Sequence, residues 1–252
     1  MFTRKTLNHY WEGRIDPFRI IGNVYFVGAY QASSHLIDTG DGLILIDTGY
    51  HNTVYLVVRS IYELGFRPQD IRYILNTHWH WDHTEGTAAM AELSGAKTVI
   101  GKKDRDNALP YFTPDILVED GDTLTLGNTT VTFVETPGHT RGTVSLFFET
   151  EENGQRYRVG MFGGAGANTL CRDAFDFEGC REAYRASLNR LRQEKVDVFI
   201  GNHTWNNDTE AKGKHLRETG ENLFIDDSLF GTFLDFCENR LDSVIAAEAQ
   251  NN

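Results

Sequence analysis

Cysteine is scarce in this chain: Cys171, Cys180 and Cys237 are the only three among 252 residues. An odd count with no C-x-x-C pair excludes a disulfide-built scaffold and reads as reduced, buried thiols. Long apolar runs are missing too. No window approaches the ~20 residues that span a bilayer, so no membrane partner is expected. Positive charge is in deficit, with 24 Lys and Arg against 36 Asp and Glu and a formal net charge of −12. Nucleic acid is therefore excluded as a partner, because its phosphates need a basic face. The first ten residues hold a basic pair, Arg4-Lys5, with no apolar stretch behind it. No leader is visible there, which sets the expectation of a cytoplasmic protein, or a periplasmic one had a leader been removed. Low-complexity linkers are absent, as are repeats with periods of about 20 to 50 residues.

What is present reads as short strands alternating with amphipathic helices. Residues 23–27, 33–37 and Leu43–Ile46 are β-prone runs parted by glycine turns such as Gly40-Asp41-Gly42. Val54, Val57, Val58, Ile61 and Leu64 then recur at helical spacing, closed by Gly65 and Pro68. Ile71–Leu75 and Lys97–Gly101 are further strands, with a helix over 88–93 between them. The second half repeats the theme. Strands are expected at 131–135, 144–148, 157–162 and 196–200, and a helix through Tyr184, Leu188 and Leu191. Phe230, Phe233, Leu234, Cys237, Leu241 and Ile245 mark a long helix with one apolar stripe. The expected architecture is α/β, one domain over 1–252 made of two similar αβ halves, with two sheets face to face and helices outside.

Chemistry concentrates in His78-Trp79-His80-Trp81-Asp82-His83, which packs four metal-capable side chains into six residues. Neutral imidazoles and carboxylates are the borderline ligands that zinc takes. His78 and His80 stand two apart, so an extended backbone points both to one side. Asp82 and His83 are adjacent and must diverge, which suits a second ion beside the first. Metal pairs roughly 3.5–4 Å apart can clamp both ends of a bond being broken. His139 and His203 also follow strands, and loops at one edge of a packed sheet scaffold are where distant ligands converge.

These residues resemble the metallo-β-lactamase superfamily. His-x-His-x-Asp-His at 78–83, Pro137-Gly138-His139-Thr140 and Leu45-Ile46-Asp47-Thr48-Gly49 match its motifs in order. Asp16-Pro17-Phe18-Arg19-Ile20, Gly22-Asn23-Val24-Tyr25-Phe26-Val27-Gly28, Ser33-Ser34-His35-Leu36-Ile37 and Gly201-Asn202-His203 are similar to the third subclass of those enzymes. The resemblance implies a four-layer αββα sandwich with two zinc ions per chain in a groove at its edge. His78, His80 and His139 would bind the first ion, and Asp82, His83 and His203 the second, with no cysteine ligand. It implies that Asp47 orders the His-rich loop from behind. The wider superfamily often has a bridging Asp after the strand at 157–162; here that place reads Phe162-Gly163-Gly164-Ala165-Gly166. This departure weakens glyoxalase-type, lactonase and RNA-processing readings. The same glycines replace a Ser-containing segment that in the third subclass helps hold the β-lactam carboxylate.

The expected function is a β-lactamase-like binuclear zinc hydrolase of a small molecule. Hydroxide held between the metals would open a cyclic amide, with Asp82 orienting it and taking its proton. Hydrolysis of a lactone, thioester or other small ester on the same site is the alternative, and metal binding without turnover a third reading. Gly164, Gly166, Trp205 and Tyr30 are candidate pocket residues, with Tyr111 and Phe112 as further walls. Trp79 and Trp81 alternate with the ligands, so core packing is expected of both. Arg141 and Arg172 are candidate partners for a substrate carboxylate. His9, His35, His51 and His215 fall outside the ligand motifs and read as structural. The sequence leaves the substrate, the metal actually loaded and the oligomeric state open.

Overall fold

Alternation along each strand decides which layer a side chain enters, and the computed structural model shows it for residues 7–250. The Arg4-Lys5 pair lies outside the described residues. The first sheet has seven strands in sequence order: β1 (Phe18–Ile21), β2 (Val24–Phe26), β3 (His35–Asp38), β4 (Leu43–Ile46), β5 (Ile71–Leu75), β6 (Lys97–Gly101) and β7 (Ile116–Val118). Strands β1 to β4 pair antiparallel and β4 to β7 parallel. The second sheet is ordered β12-β11-β10-β9-β8, built from β8 (Thr123–Leu126), β9 (Thr129–Glu135), β10 (Val144–Glu152), β11 (Gln155–Met161) and β12 (Val198–Phe199). The helices are α1 (Val54–Glu63), α2 (Trp81–Thr84), α3 (Thr87–Ser94), α4 (Arg105–Ala108), α5 (Cys180–Leu191), α6 (Thr209–Thr219) and α7 (Leu229–Gln250).

Strand β4 reads Leu-Ile-Leu-Ile and is buried throughout, as a strand covered on both faces must be. Ile44 and Ile46 point inward and join Phe133, Leu146 and Phe148 of the second sheet in the central core. Leu43 and Leu45 point the other way, onto Val57 and Ile61 of α1 and Met90 of α3. On the second sheet Phe147 faces outward and meets Tyr184 and Leu188 of α5 with Phe230, Phe233 and Leu234 of α7. The result is the αββα order of layers, each apolar face covered by the next.

Two differences from the sequence reading concern the second sheet. The strand expected over 196–200 shrinks to Val198–Phe199 at the sheet edge, where it pairs with β11 and meets Ile225 through a single antiparallel bridge. Strand β8 carries Thr at alternate positions and is half exposed, so it lacks the apolar run that marks a strand in sequence.

The two sheets are stitched together at one rim. The Val144 amide at the start of β10 donates to Thr77 O beyond β5, at 2.9 Å. The Asn202 side chain beyond β12 donates to Gly163 O at 2.7 Å, and its own carbonyl receives the Ser33 amide at 2.8 Å. The exits of β4, β5, β9, β11 and β12 therefore meet along one edge, and the candidate ligands sit there.

Candidate metal centre

Asp47 leaves β4 in a left-handed conformation (φ 53°) that turns its carboxylate under the next loop. Oδ1 receives the Thr77 amide and Oδ2 the Thr77 hydroxyl, both at 2.8 Å. Oδ2 also faces His83 Nδ1 at 2.7 Å. One buried carboxylate thus fixes both ends of the His-rich segment.

That segment bends through Thr77, His78 and Trp79 and then enters the short helix α2, which carries Asp82 and His83. The change of conformation is what separates the two groups of side chains. His78, His80 and His139 form one cluster, and Asp82, His83 and His203 a second, each with its ligand atoms within 4.8 Å of one another. His80 Nδ1 lies 3.1 Å from His78 Nε2 and 2.9 Å from His139 Nε2. In the second group Asp82 Oδ2 stands 3.6 Å from His83 Nε2 and 3.7 Å from His203 Nε2. The clusters are adjacent, with the His78 and His83 ring centroids 4.3 Å apart.

Partners behind the rings set their tautomers. His139 Nδ1 donates to Gly166 O at 2.8 Å, which leaves its Nε2 with a lone pair facing inward. The Thr77 hydroxyl gives its proton to Asp47, so it accepts from His78 Nδ1 at 3.1 Å and His78 Nε2 also faces inward bare. One proton on His80 Nδ1 can satisfy only one of these two lone pairs. His83 donates through Nδ1 to Asp47, and its buried Nε2 takes no hydrogen bond.

This donor set fits a cation. Nitrogens held 2.0–2.1 Å from one zinc at tetrahedral angles stand roughly 3.3 Å apart, close to the spacing of the first cluster. Burial holds His78 well below its usual range, His80 down to about 3 and His139 to about 4, so all three rings are neutral ligands at pH 7. His83 differs. Burial opposes its protonated form, but Asp82 and Asp47 outweigh burial and raise it. Burial likewise opposes ionised Asp82, yet the surrounding imidazoles pull it below the usual carboxylate range.

Two supporting residues escape a reading of the sequence. Gly138 (φ 146°) lies so close to α5 that a Cβ there would sit 2.5 Å from that of Tyr184, and this approach presents His139 to the cluster. Asp104, fully buried after β6, accepts the Trp79 amide at 3.1 Å, the Thr140 hydroxyl at 2.7 Å and the Gly142 amide at 2.6 Å. It joins the 78–83 loop to the 139–142 loop. Burial raises its carboxyl to about 7 against the pull of those hydrogen bonds. The one signal in sequence was its place beyond a strand next to the ligand-bearing one.

A cavity of about 390 Å³ opens over the second cluster. Asp82, His139 and His203 form its floor, Gly166 and Trp205 part of its wall. Trp205 stacks on His203 at 4.4 Å between centroids. Tyr30 lies one layer behind, buried against Trp205, and Gly164 is wedged behind His139. Trp81 departs from the core-packing expectation: it is 46% exposed and lines the cavity, because α2 begins at this residue. Trp79 is half-buried and packs with Phe112 and Tyr111 in a small satellite core, which removes those two from the cavity wall. Arg141 lies over the Phe177 ring and Arg172 pairs with Glu248, so neither candidate reaches the cavity.

The model of the metallo-beta-lactamase superfamily matches residues 27–152. Over 185 residues the chain is 30% identical to a hydroxyacylglutathione hydrolase of Pelagibacter ubique, covering 72% of each protein. A hydroxyacylglutathione hydrolase of Hyphomonas neptunium is 34% identical over 123 residues, 49% of this chain and 44% of that one. The chain spans less than half the length of several of the curated relatives it matches, 44%, 41% and 40% in three of them. Among solved structures, a subclass B3 metallo-beta-lactamase of Bradyrhizobium japonicum superposes with a TM-score of 0.89 at 30% identity, covering 96% of this chain and 98% of that one. A metallo-beta-lactamase from Legionella gormanii gives 0.88 at 28% identity, covering 94% and 98%.

Proposed function

The chain belongs to the metallo-beta-lactamase superfamily and is a metal-dependent hydrolase; from that premise we propose that it binds two zinc ions and opens the cyclic amide of a β-lactam-like small molecule. The observation that carries this reading is the paired His and Asp clusters at the floor of one cavity. In this proposal His78, His80 and His139 hold one ion, and Asp82, His83 and His203 the other. When bound, such a pair supplies a water of pKa near ~7 and Lewis-acid polarisation of the carbonyl.

The side chains then divide the remaining work. Asp82 is ionised at neutral pH, reaches the cavity floor, and accepts the proton released as water adds to the carbonyl carbon. The same carboxyl can return that proton to the leaving nitrogen. Asp47 holds His83 with its bare nitrogen toward Asp82. Trp205, stacked on His203, shields one side of the floor from bulk water.

A second reading, thioester or lactone hydrolysis, draws support from two observations. The wall at Ala165-Gly166-Ala167 offers no hydroxyl to a β-lactam carboxylate, and the Pelagibacter relative is named a hydroxyacylglutathione hydrolase. Zinc-loaded protein, assayed against a chromogenic cephalosporin and a panel of thioesters and lactones, separates the two. Two zinc equivalents per chain and turnover lost on chelation are expected, with Asp82→Asn lowering turnover roughly 100- to 10,000-fold. Fewer than two equivalents, or no hydrolysis of any member by the loaded protein, would overturn the proposal.

A further inference from the structure

We propose that Arg240 is the anion-recognition residue of the cavity, and that the substrate carries a carboxylate. This rests on the hydrolase reading above and names its substrate class.

Helix α7 borders the cavity with Phe233, Phe236, Cys237 and Arg240, which recur at i, i+3, i+4 and i+7 and so lie on one face. A rise of 1.5 Å per residue carries Arg240 about 10 Å along the helix from Phe233. The floor of the cavity is chemically reactive and its α7 wall is apolar until Arg240. Among the described residues lining it, Arg240 is the one with a fixed positive charge.

The arginines near it, on and beside α5, are paired. Arg185 pairs with Glu238 and Asp242, and Arg192 with Asp235 and Glu238. Arg181 and Arg172 share Glu248. Most arginines of this acidic protein find carboxylates; Arg240, like Arg72, Arg141 and Arg217, makes no ion pair among the described residues, and of these four it alone lines the cavity. Its guanidinium carbon lies 6.0 Å from the Phe236 ring centroid, a contact that steadies the group without neutralising it. A planar guanidinium kept free of protein carboxylates beside an apolar wall is arranged to take an incoming carboxylate through two parallel hydrogen bonds.

The opposite wall strengthens the assignment. Ala165, Gly166 and Ala167 carry no side-chain donor there, Asn168 offers only a neutral amide, and Asn206 gives an amide N–H to Asn202 Oδ1 at 2.7 Å. The cationic partner that this wall lacks is provided from α7.

The test uses a cephalosporin and an acyl thioester, each as free acid and as methyl ester, with zinc-loaded wild type, Arg240→Gln, Arg240→Lys and, as a control off the cavity, Arg172→Gln. Kd is read from quenching of tryptophan fluorescence and KM from turnover. Wild type is expected to favour the acids. Arg240→Gln should reduce that preference roughly 10- to 100-fold, read in KM and Kd, with Arg240→Lys restoring part of it. Arg172→Gln should keep the wild-type preference. An acid-over-ester ratio equal in wild type and Arg240→Gln would overturn the proposal. Should wild type hydrolyse none of the four compounds, the hydrolase reading fails, and the Kd ratio still decides the role of Arg240.

Discussion

Replacing Asp47 with Asn separates the charge of this carboxylate from its backbone. Asn adopts a left-handed conformation readily, so φ 53° adds little strain. The carboxylate accepts from three donors: the Thr77 amide, the Thr77 hydroxyl and His83 Nδ1. A carboxamide offers one oxygen and one NH₂. With the oxygen kept on the Thr77 amide, the NH₂ faces His83 Nδ1, and His83 must move its proton to Nε2. That nitrogen is the one facing Asp82 at 3.6 Å, so the lone pair available to a cation is lost. With the amide flipped, the Thr77 N–H is left buried and unpaired at about 1–3 kcal/mol. The first arrangement removes a ligand from the second cluster, and the flipped one loosens the loop that carries it. Loss of such a supporting carboxylate is worth roughly 10- to 100-fold in affinity. Competition against a chromophoric chelator should resolve two binding events in wild type. In Asp47→Asn, the one assigned to Asp82, His83 and His203 should weaken by that factor. The other should move less, since His139 keeps its bond to Gly166. Two events of wild-type strength in Asp47→Asn would refute the tautomer argument.

The ligand-rich segment was legible because its information is local: six residues, ligand chemistry at four of them, and a buried strand before it. The layering was legible for a related reason, since Leu43 and Leu45 alternate with Ile44 and Ile46 and need two apolar faces to bury them. What failed was long-range or conformational. The packing role expected of Trp81 assumed an extended backbone, whereas helix α2 starts there and turns the indole to the cavity. Asp104 means nothing until Gly142 and Thr140 are folded against it from 36 to 38 residues away. Arg141 stands two residues after His139, but sequence neighbours of a ligand diverge at a turn, and its guanidinium lies over Phe177. Arg240 shares a helical face with Phe233 and Phe236, and that spacing points at the site only once α7 is known to border it.

Two further consequences can be measured without knowing the substrate. Asp104→Ala should lower the urea midpoint by the equivalent of about 2–6 kcal/mol, because the Trp79 and Gly142 amides lose their acceptor in the interior; an unchanged midpoint would refute its role as the tie between the loops. His35 gives a pH signature. Its ring is buried against the edge of Phe26, its Nδ1 has no hydrogen-bond partner, and burial lowers it from 6.5 to about 3. The unfolded chain then binds a proton below pH 6.5 that the folded chain refuses, so this residue's contribution is complete above 6.5 and is lost as pH falls toward 3. From those two values, the loss between pH 8 and pH 5 is about 2 kcal/mol. Other groups titrate over the same range, so the quantity to compare is the change in unfolding free energy from pH 8 to pH 5 in wild type and in His35→Leu. The variant should lose about 2 kcal/mol less than wild type, and an equal loss in both would show that His35 takes up its proton without unfolding the protein.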